Sequence, residues 1–292
     1  MLQGSITALI TPFKDGAVDE RAFQDFVAWQ IAEGSDGIVP VGTTGESPTL
    51  SHEEHKRVVS LAVEVAKGKI PVIAGAGSNS TAEAMDFTRF AVKAGADAVL
   101  VVTPYYNKPT QEGLYQHFKA VAEAADGLPV IVYNIPGRSV IDMSLETMER
   151  LVRDLPNIRG VKDATADLAR PLATRVALGP SFIQLSGEDA TATAFLAQGG
   201  VGCISVTSNV APRLCADMQR AWRTGDLETC FALRDKLAPL HAVMFCETSP
   251  GPVKYGVSLL GRASAETRLP MVPIAASSRE RVEAAMRDLG LI

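Results

Sequence analysis

Cysteine is scarce in this chain. Its four residues, Cys203, Cys215, Cys230 and Cys246, form no CxxC pair, and a chain of 292 residues is long enough to build a core without disulfide staples. Long apolar runs are missing too, so no stretch reads as a membrane span. The N-terminus, Met1-Leu2-Gln3-Gly4-Ser5, has no charged leader, and the apolar run from Ile6 to Ile10 is too short for a signal core. These absences predict a cytoplasmic protein with reduced thiols. Nor is there a basic stripe or a block of like charge. With a net charge of −5 and a pI near 5.5, nucleic acid and anionic membrane are poor partners. Nucleotide fingerprints are absent as well: Gly75-Ala76-Gly77 supplies G-x-G without the third glycine, and no Walker lysine follows a glycine loop.

What is present is a repeated grammar. At Glu33-Gly34, Ala94-Gly95 and Gln198-Gly199 a helical pattern ends on glycine and a β-branched or small apolar run follows. Glycine adopts the left-handed conformation that stops a helix. Pro71 and Pro129 announce two further strands. The pattern predicts eight strands near residues 5–10, 37–41, 70–75, 97–103, 129–134, 158–162, 181–186 and 201–205, each followed by a helical segment. The runs are continuously apolar, which suits a parallel sheet covered on both faces. Eight βα units in roughly 225 residues match a TIM (β/α)8 barrel better than a doubly wound sheet. After Thr224-Gly225-Asp226 the grammar changes to helices alone, through Leu227 to Val243, Val253 to Leu260 and Arg279 to Leu289. The expected organisation is a catalytic barrel over 1–224 and a helical extension over 225–292.

In such barrels the reactive groups stand at the C-terminal ends of the strands. Applied here, the rule gathers Thr43 and Thr44, Tyr105 and Tyr106, Tyr133, Arg138, Lys162, Gly187 and Ile204 at one rim. The run Ile158-Arg159-Gly160-Val161 ends on Lys162. Taken alone, a strand-end lysine most often snorkels to solvent. Desolvated, it becomes an amine able to attack a carbonyl and form an imine. Three of the five tyrosines lie at strand ends, and a tyrosine moves the protons that carbinolamine formation and dehydration require. Arg138 suits bidentate binding of a carboxylate. Singly, the tyrosines read as rim packing and Arg138 as a surface ion pair; jointly they suggest imine chemistry on a small keto acid.

Three motifs, Gly42-Thr43-Thr44-Gly45-Glu46-Ser47, Tyr133-Asn134-Ile135-Pro136-Gly137-Arg138 and Gly160-Val161-Lys162-Asp163-Ala164-Thr165, resemble the dihydrodipicolinate synthase family over nearly the whole chain. The resemblance implies a pyruvate-dependent class I aldolase, a lyase without metal or organic cofactor. In it Lys162 forms the Schiff base with pyruvate, Tyr133 is the general acid/base, and Thr43 links it to Tyr106 from a neighbouring subunit. Thr44 and the backbone of Ile204 bind the pyruvate carboxylate, with Gly187 in the substrate-binding set. Arg138 holds the carboxylate of L-aspartate 4-semialdehyde. The implied pathway is the diaminopimelate route of lysine biosynthesis, and the implied assembly a homotetramer, a dimer of dimers. Two alternatives stay open: another pyruvate-type aldolase of the superfamily, such as an N-acetylneuraminate lyase or a sugar-acid aldolase or dehydratase, and a non-catalytic binding barrel. Thr43-Thr44 and Arg138 favour the synthase. One departure from the family is Ser249, where Asn is usual.

Ser51-His52-Glu53-Glu54-His55 opens a helix, with Ser51 as N-cap. Histidines three apart with no third ligand in view do not make a zinc motif, and two exposed first-turn histidines are the expectation. The resemblance adds another reading. Ser47, His52, His55, Asn79, Glu83 and Tyr105 match a lysine-sensitive pattern, which implies allosteric inhibition by L-lysine; Pro48 stands where alanine is usual. His117 and His241 lie on predicted helices and are expected to be structural.

Overall fold

The computed structural model describes residues 2–292. In chain order its strands are β1 (Gly4–Ala8), β2 (Phe13–Lys14), β3 (Ala17–Val18), β4 (Gly37–Val39), β5 (Ile73–Gly75), β6 (Ala98–Val102), β7 (Val130–Asn134), β8 (Ile158–Asp163), β9 (Ile183–Ser186) and β10 (Gly202–Ser205). Eight of them pair in parallel and alternate with helices, which is the (β/α)8 barrel class; only the β2–β3 hairpin is antiparallel. The chain divides into two compact units, one of Ile73–Ile204 with the N-terminal residues through Gln3, the other of Gly4–Val72 with Ser205–Ile292.

In the first unit β10, β9, β8, β7, β6 and β5 lie side by side in that order. β7 is buried at all five residues and β6 at four of five, as expected of strands covered on both faces. Register runs Val102 beside Tyr133, Tyr133 beside Lys162 and Lys162 beside Leu185. Gly160 is required at its place: a Cβ there would lie 2.5 Å from the Ile183 carbonyl oxygen of β9. Helices Thr81–Ala94, Gln111–Ala124 and Leu145–Asp154 start on Ser80, Thr110 and Ser144, each of which caps a backbone N–H three residues on. Gly95 ends the first of them at φ 85°.

In the second unit β1 pairs with β4, and Ile38 also bridges to Val72. Helix Glu20–Ala32 is capped by Asp19, and His52–Ala66 opens with a capping box between Ser51 and Glu54. Gly225, at φ 78°, closes the helix Pro212–Thr224, and Asp226 caps the next. Helices Leu227–Val243, Gly251–Leu259 and Ala276–Asp288 follow, with no strand after β10 among the described residues.

Three expectations need correction. The expected strands passed over the hairpin of β2 and β3, which Asp15 and Gly16 turn at positive φ. The strand expected from residue 70 starts at Ile73, because Pro71 has no N–H to give a ladder. His55 is buried, not exposed: three and four residues on, Val58 and Val59 share its helix face and are buried with it, while His52 stays exposed.

Candidate active site

Alternation along β7 and β8 sorts the strand-end residues onto two faces. Tyr133 and Lys162 share one face, paired in register and each 6% exposed. The Lys162 Nζ stands 4.0 Å from the centroid of the Tyr133 ring. It makes no ion pair among the described residues. An amine so placed is desolvated and held against an aromatic face, with its lone pair uncommitted once the proton leaves. The chain next to it is tightly drawn. Gly187 N–H donates to the Asp163 carbonyl at 2.6 Å, and a Cβ on Gly187 would lie 2.6 Å from the Ala164 Cβ. Ile204 is buried in β10. Beyond β9, burial holds the Glu188 carboxyl above the usual carboxylate range; Asp189 adds to this and Lys162 opposes it.

The opposite face holds these strand ends in place. The Asn134 amide donates to Asp142 Oδ1 at 2.7 Å, and its oxygen accepts from Met143 N–H at 3.1 Å. Arg170 bridges two carboxylates, with Nε 3.3 Å from Asp163 and Nη1 2.9 Å from Asp142, and donates to the Met143 carbonyl at 2.7 Å. Asp163 also accepts from the Thr165 N–H and hydroxyl. The loop that carries Arg138 is thereby tied to the strands that carry Tyr133 and Lys162. Sequence reading singled out neither Arg170 nor Asp142. The available signal was Asp163, a buried carboxylate beside the lysine, which requires a cation from elsewhere.

Thr43 and Thr44 lie in the other unit, on a loop closed on itself. Glu46 N–H donates to the Thr43 carbonyl at 3.1 Å and Gly45 N–H to the Gly42 carbonyl at 3.1 Å. Val41 and Glu46 bracket the loop in the left-handed region, at φ 50° and 57°. Thr44 is buried. The Glu46 carboxylate is buried too, and accepts from Lys254 Nζ at 2.5 Å and from Arg268 N–H at 3.0 Å. Sequence reading gave Lys254 no role.

Arg138 is exposed and has no ion pair among the described residues. Tyr106, at φ 73°, is 89% exposed. Of the lysine-pattern residues, Ser47 is in a 3-10 turn and His52 and His55 are in the helix that follows it, in one unit. In the other unit, Glu83 is in the first turn of Thr81–Ala94, and the Asn79 carbonyl accepts from the Asn107 amide at 2.8 Å. Asn107 N–H in turn donates to the Tyr105 carbonyl. Asn79 and the Tyr105 loop are thus joined. His117 and His241 are buried, with Nδ1 against the Thr81 and Thr207 hydroxyls at 2.9 and 2.8 Å, as structural residues would be. No group of three metal-ligating side chains gathers among the described residues, and no helix is long and apolar enough to cross a membrane.

Comparison with known proteins gives one answer. A model of the dihydrodipicolinate synthetase family matches residues 1–289. A 4-hydroxy-tetrahydrodipicolinate synthase of Rhodospirillum centenum is 68% identical over 292 residues and covers all of both chains. Among solved structures, a dihydrodipicolinate synthase of Acinetobacter baumannii complexed with pyruvate superposes with a TM-score of 0.96 at 47% identity, covering 100% of each chain. Another, from Cyanidioschyzon merolae with lysine bound, gives 0.96 at 39% identity and 99% of each chain.

Proposed function

We propose a mechanism and a set of site residues from the premise that this chain belongs to the dihydrodipicolinate synthetase family, and that its activity is that of a 4-hydroxy-tetrahydrodipicolinate synthase. The enzyme is a lyase of the class I aldolase type that joins pyruvate to L-aspartate 4-semialdehyde. Lys162 attacks the pyruvate ketone, and Tyr133 passes protons as the carbinolamine forms and loses water to give the imine. Loss of a methyl proton yields the enamine, whose carbon attacks the aldehyde. The amine of the bound semialdehyde then closes on the imine carbon and expels Lys162 as its free amine, so the lysine is regenerated and the cyclic product leaves. Lys162 is its own electron sink. Thr43 is assigned to the proton relay with Tyr106, and Thr44, Ile204 and Gly187 to the pyruvate. Arg138 is assigned to the semialdehyde carboxylate, for which its unpaired guanidinium is suited.

One observation carries this reading. Only two lysines are buried among the described residues; Lys254 has a carboxylate partner, and Lys162 has a tyrosine face instead. Burial without a direct ion pair is costly for a structural lysine and useful for an imine-forming one. Borohydride reduction with pyruvate, read by peptide mass spectrometry, tests it. The expected result is one pyruvate-derived adduct on Lys162, lost in Lys162→Ala. Folded protein that consumes the semialdehyde without trapping an adduct overturns the mechanism.

L-lysine is assigned as an inhibitor held by Ser47, His52, His55, Asn79, Glu83 and Tyr105. The lysine bound to the Cyanidioschyzon relative supports this, as does the carboxylate of Glu83 for an inhibitor ammonium. Initial rates should fall across a millimolar lysine titration; flat rates exclude it. The assembly is assigned as a homotetramer, the compartment as the cytoplasm, and residues 1–224 and 225–292 as barrel and extension.

A further inference from the structure

Burying a charged pair costs desolvation free energy, and an apolar pair of similar volume often does as well for stability. The pair of Lys254 and Glu46 therefore needs another reason. Lys254 is 0% exposed and Glu46 is 4% exposed. The ammonium is 2.5 Å from Glu46 Oε1 and 4.0 Å above the ring centroid of Phe13, itself 1% exposed. The second carboxylate oxygen accepts the Arg268 N–H at 3.0 Å, and the Arg268 side chain donates to the Thr49 carbonyl at 2.9 Å, just beyond the loop. Both cations come from the helical C-terminal segment.

The backbone they grip is unusual. Val41 is a β-branched residue at φ 50°, and Glu46 a non-glycine residue at φ 57°. Conformations of this kind persist only where the surroundings over-determine them, and they gather at sites that bind or react. The turn is closely packed: a Cβ on Gly45 would lie 3.1 Å from the Val41 Cα and N. Thr11 donates to the Gly45 carbonyl at 2.7 Å from the other side. Between the two strained residues lie Thr43 and Thr44. The Thr43 carbonyl is pinned by the N–H of Glu46, the residue whose side chain Lys254 holds.

We infer that Lys254 is a positioning residue for pyruvate binding: through Glu46 it sets the left-handed turn that fixes the hydroxyl and backbone N–H of Thr44. The inference rests on the assignment of Thr44 to the pyruvate carboxylate. It gives the C-terminal segment a part in substrate affinity in addition to packing.

Steady-state kinetics on the full-length protein test it, with each rate divided by the concentration of molecules that borohydride traps at saturating pyruvate. Glu46→Asp and Lys254→Arg keep both charges and alter only reach and head shape. Each should raise the pyruvate KM about fivefold or more and leave the semialdehyde KM unchanged. The double variant Glu46→Gln with Lys254→Met removes both charges and leaves no lone ion buried. Its melting temperature should return close to the wild-type value while its pyruvate KM stays raised. A pair that served only the fold would lower the trapped fraction and leave KM alone. Wild-type pyruvate KM in the variants that fold overturns the inference; if the double variant does not fold, the two charge-preserving variants decide. Wild-type protein that neither traps pyruvate nor consumes the semialdehyde overturns the activity instead, and this inference with it.

Discussion

A buried amine with a carboxylate at 2.5 Å and a buried amine with none should respond oppositely to the same substitution. Burial pushes the Lys254 ammonium below its usual range, and the adjacent Glu46 only partly restores it. Lys254→Met strands the Glu46 charge in the interior and should cost about 3–5 kcal/mol of stability. Lys162→Met breaks no ion pair and removes only the weaker pull of the ammonium on Glu188. It should abolish adduct formation while melting at or above the wild-type temperature, the trade expected of a residue kept for chemistry. Differential scanning calorimetry on the two variants reads this, and equal destabilisation would argue that Lys162 is structural. His117 offers a second residue-scale prediction. Burial drives its pKa down from 6.5 to about 4. The unfolded chain binds that proton first, so stability is complete above about pH 6.5 and declines as pH falls toward 4. The whole effect is about 3 kcal/mol. His117→Gln should flatten the melting temperature between pH 7 and 4.5, where the carboxylates held below their usual range have not yet titrated; an unchanged slope places the proton elsewhere.

At the scale of elements, the site depends on register. Tyr133 meets Lys162 because β7 and β8 pair one residue to one through their ends, after a register shift between Val130 and Ile131. β8 in turn approaches β9 closely enough at Gly160 to exclude a methyl group. Gly160→Ala must part the strands or slide them. It should cost about 2 kcal/mol and slow trapping of pyruvate on Lys162, two residues downstream. Unchanged melting with an unchanged trapping rate would mean that the sheet absorbs the shift without moving the lysine. Strands and helix ends were legible in the sequence, because continuous apolar runs, glycine stops and Ser or Asp caps are local patterns. Strand starts were less so. Whether pairing begins at residue 70 or 73 depends on which N–H the neighbour needs, and Pro71 hides the answer until the neighbour is known. The Asn134–Asp142–Arg170–Asp163 network and the Glu46–Lys254 pair left no periodic trace, since each joins residues that only the fold brings together. The placing of Tyr133 beside Lys162 at neighbouring strand ends was legible from motif and strand position; the residues that hold the two strands in place were not.

At the scale of the molecule, one residue fits poorly with a chain acting alone. Tyr106 is assigned to the proton relay, yet in the single chain its ring is 89% exposed, on a backbone turned to φ 73°. A large aromatic held out on a left-handed turn is a poor solution for a monomer, since exposure forfeits its burial and the turn costs conformational free energy. Both make sense if a second copy receives the ring, as the assigned relay requires. Symmetry then makes a sharp prediction, because in an isologous dimer each site draws Lys162 from one chain and Tyr106 from the other. Lys162→Ala and Tyr106→Phe should each be nearly inactive as pure proteins. Co-expressed with different tags, half of the dimers are mixed, and in each mixed dimer one of two sites has both a wild-type lysine and a wild-type tyrosine. Activity should return to about one quarter of the wild-type value per chain, and all of it should elute with the doubly tagged species. If each site used its own tyrosine, every chain in the mixture would lack one group or the other. The doubly tagged fraction would then stay as inactive as its parents, and the assignment of Tyr106 across subunits would be wrong.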